Sequence, residues 1–290
     1  MSIGNPKRSC PPYSPPSRTA LYCTFSAPFK SKDAYNPAYN LYTNVVGYQA
    51  YELRDNFNFT VPTFVPVSAA NLTLGDLKPD FGYGGSSIQL LDDGGACAKV
   101  EIDGLGEVDA QFYYVDADSA DAAGITAGWY LVDDAGFEYC QNDRVLPVGQ
   151  GYLLDCQDSG AKITYAGAVA TTATEITLID NFNFTGNLSP APITLGDVAP
   201  DFGYGGSSIQ LLDDGGACAK VEIDGLGEVD AQFYYVDAES ADAAGITAGW
   251  YLVDDAGFEY CQNDRPLAAG EGFLLDCQDS GAKVELPSAL

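Results

Sequence analysis

The apolar and polar positions of this chain form short runs that predict β-strands. Examples are SSIQLLDD (86–93), CAKVEID (97–103), AQFYYVD (110–116) and GYLLDC (151–156). The runs are rich in Val, Ile, Tyr and Phe, and the segments between them contain Gly and Asp residues that suit tight turns. The one helical candidate, SADAAGITAG (119–128), contains two glycines, which favours a turn or a single short helix.

The whole series of strands and turns occurs twice. Residues 80–144 recur at 201–265, with Asp118 against Glu239 as the only difference. The motif DNFNFT recurs at 55–60 and 180–185, so the second copy is four residues shorter after this motif. Short strands at roughly ten-residue spacing predict an all-β fold. We therefore expect two tandem, near-identical β-sandwich or partly closed barrel domains, at 41–166 and 167–290.

The first 40 residues differ from both domains. Residues 1–18 are rich in Pro and predict an extended path. Residues 19–29, TALYCTFSAPF, alternate apolar and other side chains and predict one strand with an apolar face, formed by Leu21, Cys23, Phe25, Ala27 and Phe29. This strand has no counterpart in the second domain. It is either an edge strand on its own chain or a donor strand that completes a sheet of another copy.

Eight Cys, one Met and no His indicate an extracellular or cell-surface protein with disulfides, although no secretion signal is visible at residues 1–20. Each predicted domain has three Cys, so at least one per domain must pair outside it or stay reduced. Because each pair brackets one loop and strand, we expect disulfides Cys140–Cys156 and Cys261–Cys277. Cys97 and Cys218 would then pair with Cys10, Cys23 or another chain.

The net charge of the chain limits the classes of partner that it can bind. It has 41 acidic and 13 basic residues, a formal net charge of −28. This field repels nucleic acid and anionic lipid, and no apolar run has the roughly 18 residues that a membrane span needs. The expected partners are further copies of the chain and, for an adhesin, glycans.

Catalytic motifs are missing from the sequence. Without His there is no His-dependent triad, and no phosphate-binding loop is present. We expect no enzyme activity, no catalytic residues and no cofactor. Calcium is the one metal that acidic turns could bind, although solvated turn charge is the favoured interpretation. The weak calcium candidates are Asp92, Asp93, Asp116, Asp118 and Asp121, with their counterparts Asp213, Asp214, Asp237, Glu239 and Asp242.

Two further residue types have open interpretations. Trp129 and Trp250, the only tryptophans, are expected in the cores, with sugar stacking as the alternative. Four N-x-[ST] triplets are glycosylation candidates, at Asn58, Asn71, Asn183 and Asn187.

Several motifs carry a resemblance to known proteins. The segments NVVGYQAYELRDNFNF, ITLGD followed by SSIQLLDD, and AGWYLVDD leading into LPVGQGYLLD or LAAGEGFLLD resemble the uncharacterised secreted β-repeat proteins of environmental bacteria. The resemblance covers about 41–286 and implies no catalytic residues. The architecture, a spare N-terminal strand before tandem β domains, is similar to that of pilus-like extracellular fibril subunits.

Three functional classes follow from the sequence. The expected function is a structural subunit of an extracellular homopolymeric fibre, assembled head to tail by strand donation from the arm. The alternative is a secreted carbohydrate-binding adhesin, in which two domains would give avidity. A secreted hydrolase explains the fewest features.

Overall fold

The structure is a computed structural model of the chain, and it describes residues 46–64, 72–80, 86–132, 138–156, 161–170, 172–201, 207–213, 215–253, 259–277 and 281–287. The predicted arm (1–40), with its candidate donor strand, lies outside these ranges, as do Asn71 and Asp214. We refer to residues 46–168 as unit 1 and residues 174–286 as unit 2.

The described part of unit 1 contains thirteen strands: β1 Val46–Glu52, β2 Asn56–Thr60, β3 Leu72–Thr73, β4 Lys78–Asp80, β5 Ser87–Gln89, β6 Lys99–Ile102, β7 Gly106–Asp109, β8 Gln111–Val115, β9 Gly128–Val132, β10 Glu138–Cys140, β11 Val145–Leu146, β12 Tyr152–Cys156 and β13 Lys162–Ala168. A 3-10 turn, Leu74–Asp76, and one helix, α1 Ala117–Ala123, complete it.

Unit 2 repeats this order: β14 Thr174–Thr177, β15 Asn181–Gly186, β16 Ile193–Thr194, β17 Ala199–Asp201, β18 Ser208–Leu211, β19 Lys220–Ile223, β20 Gly227–Asp230, β21 Gln232–Val236, β22 Gly249–Val253, β23 Glu259–Cys261, β24 Pro266–Leu267, β25 Gly272–Cys277 and β26 Lys283–Leu286. Its 3-10 turn is Leu195–Asp197 and its helix is α2 Ala238–Ala244.

Each unit has a six-stranded and a three-stranded antiparallel sheet. In unit 1 the strand orders are β10-β9-β8-β5-β12-β2 and β1-β13-β4, with two further strand pairs, β11-β3 and β6-β7. Unit 2 has the same orders in its own strands. The prediction of an all-β, sandwich-like fold is therefore confirmed, and the described sheets are open rather than closed into a barrel.

The core of each unit lies on one face of the six-stranded sheet. In unit 1 the fully buried Ile88, Phe112, Trp129 and Leu154 come from four neighbouring strands of that sheet. The indole Nε1 of Trp129 donates to the Leu77 carbonyl oxygen at 3.2 Å, which satisfies its only polar atom. Trp250 is equally buried and donates to the Val198 carbonyl oxygen at 3.0 Å. Both tryptophans are core anchors, and neither is available to stack on a sugar.

The helical candidate forms the single short helix α1. Asp116 begins it by accepting hydrogen bonds from the backbone N–H and the hydroxyl of Ser119. Gly124, at φ +72°, ends it in the left-handed conformation that glycine adopts without strain. Asp118 and its counterpart Glu239 lie exposed in the first turns, where either acidic side chain interacts well with the helix dipole.

The predicted disulfides Cys140–Cys156 and Cys261–Cys277 are wrong. Cys140 is an exposed free thiol on β10, at one edge of the six-stranded sheet, and β9, β8 and β5 separate it from Cys156 on β12. Four strand spacings amount to roughly 19 Å in a flat sheet, whereas a disulfide needs Cα atoms within about 7 Å. Cys261 and Cys277 occupy the matching strands β23 and β25, so the same separation excludes that bond, and the disulfide that Cys261 does form is a different one. Cys97 and Cys218 are free thiols, so the expectation that they pair with Cys10 or Cys23 of the same chain is wrong as well.

Candidate functional site

The two units contact one another through the β2–β12 strand pair and its counterpart, β15–β25. The Val61 N–H and the Thr60 hydroxyl both donate to the Gly270 carbonyl oxygen, at 3.1 and 2.9 Å. In the other direction the Gly151 N–H donates to the Phe184 carbonyl oxygen at 2.8 Å. Backbone hydrogen bonds therefore join the units, and the short segment between β13 and β14 is not their only connection.

Aromatic side chains follow the outer face of these strands. In β2, Phe57 and Phe59 alternate with the buried Asn58 and Thr60, so the two rings share the face that points away from the core of unit 1. Phe59 lies opposite Leu153 of β12. In unit 2, Phe182 and Phe184 occupy the same positions on β15, and Leu274 lies opposite Phe184.

An apolar cleft of about 250 Å³ lies between the units. Unit 1 contributes six residues and unit 2 contributes their six counterparts in the repeat. The lining residues are Phe57, Phe59, Leu91, Gly94, Gly95, Leu153, Phe182, Phe184, Leu212, Gly215, Gly216 and Leu274. Because every lining residue has its counterpart, the cleft has approximate twofold symmetry.

Each unit supplies a glycine turn against the rings of the other. A β-carbon added at Gly95 would lie 3.6 Å from the ring of Phe184, and one added at Gly216 would lie 3.5 Å from the ring of Phe59. Both glycines have φ near +80°, which disfavours any residue with a side chain. The two turns therefore form the walls of the cleft while their backbones approach the rings closely.

Two carboxylates lie beside the phenylalanines. Asp155 is opposite Phe57 in the sheet, and Asp276 is opposite Phe182. Partial burial raises the pKa of both side chains, and the neighbouring Asp55 or Asp180 raises it further. The cleft is therefore apolar in its lining and negatively charged beside it, which favours an apolar occupant that carries cationic groups.

The symmetry is broken beside the cleft, where unit 1 has Val61 and unit 2 has Gly186. The Val61 side chain is fully buried in the hydrophobic core of unit 2. Gly186 instead pairs with Gly272 within unit 2, and a β-carbon there would lie 2.3 Å from the Glu271 carbonyl oxygen. A valine fits only where the chain crosses from one unit into the other.

The structure does not assemble the calcium candidates into a site. Asp92 closes its own turn, because its Oδ1 accepts hydrogen bonds from the N–H groups of Gly94 and Ala96, both at 2.9 Å. Asp213 does the same in unit 2, and Asp116 and Asp237 begin the two helices. The remaining described candidates, Asp93, Asp118, Asp121, Glu239 and Asp242, are exposed. No group of three or more possible metal ligands occurs among the described residues.

The glycosylation candidates Asn58, Asn183 and Asn187 have structural roles. Asn187 is completely buried, and its Nδ2 donates to three carbonyl oxygens, those of Ala191, Leu267 and Ala268. Asn187 is therefore not on the surface of the folded protein, as a glycosylation site would have to be. Asn58 is also buried and bridges the backbone N–H and carbonyl of Arg54, a turn contact that Asn183 repeats with Ile179. A glycan would disrupt these hydrogen bonds.

Sequence reasoning missed the phenylalanines of the cleft, although a signal was present. The repeated motif DNFNFT places two Phe residues on one face of a strand, but the sequence does not show that the other unit covers them.

A second signal is the charge of the arm. Residues 1–40 hold Lys7, Arg8, Arg18, Lys30 and Lys32 but one acidic residue, Asp33, a net charge of +4. The rest of the chain therefore has 8 basic and 40 acidic residues, a net charge of −32.

No helix in the described residues combines the length and apolar character that crossing a membrane requires. Comparisons of the chain with protein-family models, with curated proteins and with solved structures found no match.

Proposed function

We propose that this protein is a structural subunit of an extracellular fibre, assembled head to tail from copies of the same chain through the N-terminal arm. The observation that carries the proposal is the division of charge along the chain. An arm of net charge +4 precedes a body of net charge −32. Bodies repel one another in any side-by-side arrangement, whereas the arm of one copy is attracted to the body of the next.

The described body supports assembly by strand addition. In unit 1, the seven-residue β1 is an edge strand, and no described strand pairs with its outer side. Tyr48, in this strand, has 72% of its surface exposed. An open edge presents a row of N–H and C=O groups that an incoming strand satisfies. The edge strands β10 and β23 offer two shorter sites of the same kind.

The disulfide bond of Cys261 favours an extracellular or cell-surface location, and the acidic, His-free composition is compatible with it. Calcium and glycans have no role in this proposal. A carbohydrate-binding adhesin, the alternative, loses its two best aromatic candidates because Trp129 and Trp250 are fully buried.

The proposal is tested by electron microscopy of the purified full chain and of a variant that lacks residues 1–30. The full chain should form thin fibres at low salt, and the fibres should shorten as added salt screens the attraction between arm and body. The truncated protein should remain folded and soluble, because both described hydrophobic cores consist of residues after position 46. Fibres that persist in the truncated protein contradict the proposal.

A matched pair of charge variants separates the charge of the arm from the charge of the whole chain. Lys30→Glu with Lys32→Glu makes the same change in net charge as Lys99→Glu with Lys220→Glu. Lys99 and Lys220 are exposed on the body, each in a surface ion pair with an Asp. The arm variant should abolish fibres and the body variant should retain them. Equal loss in both variants would mean that total charge, and not the arm, controls assembly.

A further inference from the structure

We propose that the apolar cleft between the units is the acceptor site for the arm of a neighbouring copy, with segment 19–30 as its occupant. This inference rests on the proposed fibre function and names the surface that the arm contacts. The cleft, the apolar strand of the arm and the two opposite charges combine in this one proposal.

The lining of the cleft matches the apolar face of the segment. Four phenylalanines and four leucines surround it, and none of the four rings is fully covered by the protein. As a strand, the segment TALYCTFSAPFK would present Leu21, Phe25 and Phe29 on one face. Pairs of aromatic rings in offset or edge-to-face contact gain stability beyond the area that they bury. Both the segment and the lining of the cleft are therefore apolar and contain aromatic rings.

The charges at the two ends also match. Arg18 precedes the segment, Lys30 is its last residue and Lys32 follows it. Cationic side chains therefore flank the apolar residues on both sides. Asp155 and Asp276 flank the cleft at symmetric positions beside Phe57 and Phe182. A cation–apolar–cation segment and an acid–apolar–acid cleft are complementary in charge and alike in polarity.

The size of the cleft favours side chains over a separate ligand. Its volume of about 250 Å³ is below the roughly 300–1,000 Å³ that is typical of sites for drug-sized molecules. An inserted pair of side chains on an extended segment needs less enclosed space, because the backbone stays outside. Between position 30 and the start of β1 at Val46 the chain can span roughly 50 Å when extended. The fibre proposal selects the cleft of an adjacent molecule over the chain's own cleft.

The test uses the full chain with the photo-crosslinking amino acid p-benzoylphenylalanine in place of Phe25. Chains of natural isotope content and chains labelled with ¹⁵N are mixed, assembled and irradiated, and crosslinked peptides are identified by mass spectrometry. We expect crosslinks between a light and a heavy chain, on peptides that contain residues 57–59, 91–95 or their counterparts 182–184 and 212–216. Crosslinks only within one chain, or only on other surfaces such as the edge of β1, overturn the proposal. The same probe at the exposed Tyr48 is the control and should not label the cleft.

Two substitutions in the cleft supply an independent measurement. Phe57→Ser and Phe182→Ser affect symmetric positions at the cleft, so each should reduce crosslinking between chains several-fold, and the double variant should bring it to background. Val145→Ser, at a residue with 45% of its surface exposed outside the cleft, should leave it unchanged. The fluorescence of the buried Trp129 and Trp250 shows whether each unit remains folded. If the double variant unfolds, the crosslink map of the parent chain decides. Undiminished crosslinking in a folded double variant overturns the proposal.

The outcomes for this inference and for the fibre function are distinguishable. Crosslinks between chains in the cleft without fibres support the acceptor site and reject the fibre function. Fibres that require the arm, with crosslinks elsewhere, support the fibre function and reject the acceptor site.

Discussion

Val61 belongs to unit 1 by sequence, but its side chain is fully buried in the core of unit 2. Replacing it with alanine removes two methyl groups from that core. At about 0.8 kcal/mol for each carbon returned to water, the transfer cost is about 1.6 kcal/mol. A residual cavity of about 40 Å³ adds about 1 kcal/mol at 24 cal/mol per Å³. We expect Val61→Ala to lower the free energy of unfolding by about 2.5 kcal/mol.

The location of the loss matters more than its size. Each unit has one tryptophan, so Trp129→Phe and Trp250→Phe variants leave a single fluorescent reporter in unit 2 or in unit 1. In urea titrations, Val61→Ala should lower the midpoint reported by Trp250 at least as much as the midpoint reported by Trp129. At about 2.1 cal/mol/K of unfolding entropy per residue, the melting temperature of the 290-residue chain should fall by roughly 4 °C.

Val145→Ala provides the control, because Val145 has 45% of its surface exposed and should change stability by less than about 0.5 kcal/mol. A decrease confined to the midpoint of Trp129 would refute the reasoning, since it would mean that Val61 stabilises only the unit that precedes it in sequence.

Three further predictions follow from the contacts between and within the units. Gly186→Val should lower the free energy of unfolding by about 2 kcal/mol or more in urea titrations. The reason is that its β-carbon would lie 2.3 Å from the Glu271 carbonyl oxygen and 2.8 Å from the Gly272 Cα. An unchanged midpoint would contradict the described backbone. Burial raises the pKa of Glu271, so its contribution to stability is present below the unfolded pKa of about 4.3 and is lost as the pH rises through the higher folded pKa. Glu271→Gln should therefore raise the melting temperature at pH 7 but not at pH 3 in calorimetry. Gln is the residue that unit 1 has at the matching position 150. A gain of equal size at both pH values would contradict this explanation. Asn187→Ala should lower the free energy of unfolding by roughly 2–3 kcal/mol in urea titrations, because three carbonyl oxygens lose their hydrogen-bond donor. A loss below about 0.5 kcal/mol would show that water replaces the amide.

Sequence reasoning succeeded where the information was local. The strands, the turns and the short helix depend on residues within a few positions of one another, as in Asp116 and Gly124 at the two ends of α1. Each tryptophan was expected in the core because it is the only one in its β unit, and both are fully buried. Both kinds of inference needed no knowledge of which strands become neighbours.

Sequence reasoning failed where the order of strands in the sheet decides the outcome. Cys140 and Cys156 are close in sequence, but β10 and β12 lie four positions apart in the sheet. The triplet at Asn187 matches a glycosylation motif, whereas the tertiary structure buries its amide among carbonyl groups. The cleft was equally hidden, because the partner that covers the alternating Phe57 and Phe59 comes from the other unit.

The pairing of Val61 with Gly186 shows what joining two copies into one chain makes possible. In a symmetric dimer of separate units, one gene would specify both positions. Two valines would place a β-carbon against the Glu271 carbonyl oxygen, and two glycines would leave the space now filled by Val61 empty. Covalent fusion removes this conflict, since each copy can then mutate on its own. The segments that follow DNFNFT differ by four residues in length, and at their first positions Val61 packs into the core of the other unit whereas Gly186 pairs within its own unit. A tandem gene can therefore evolve a better-packed internal interface than a symmetric dimer of identical units allows.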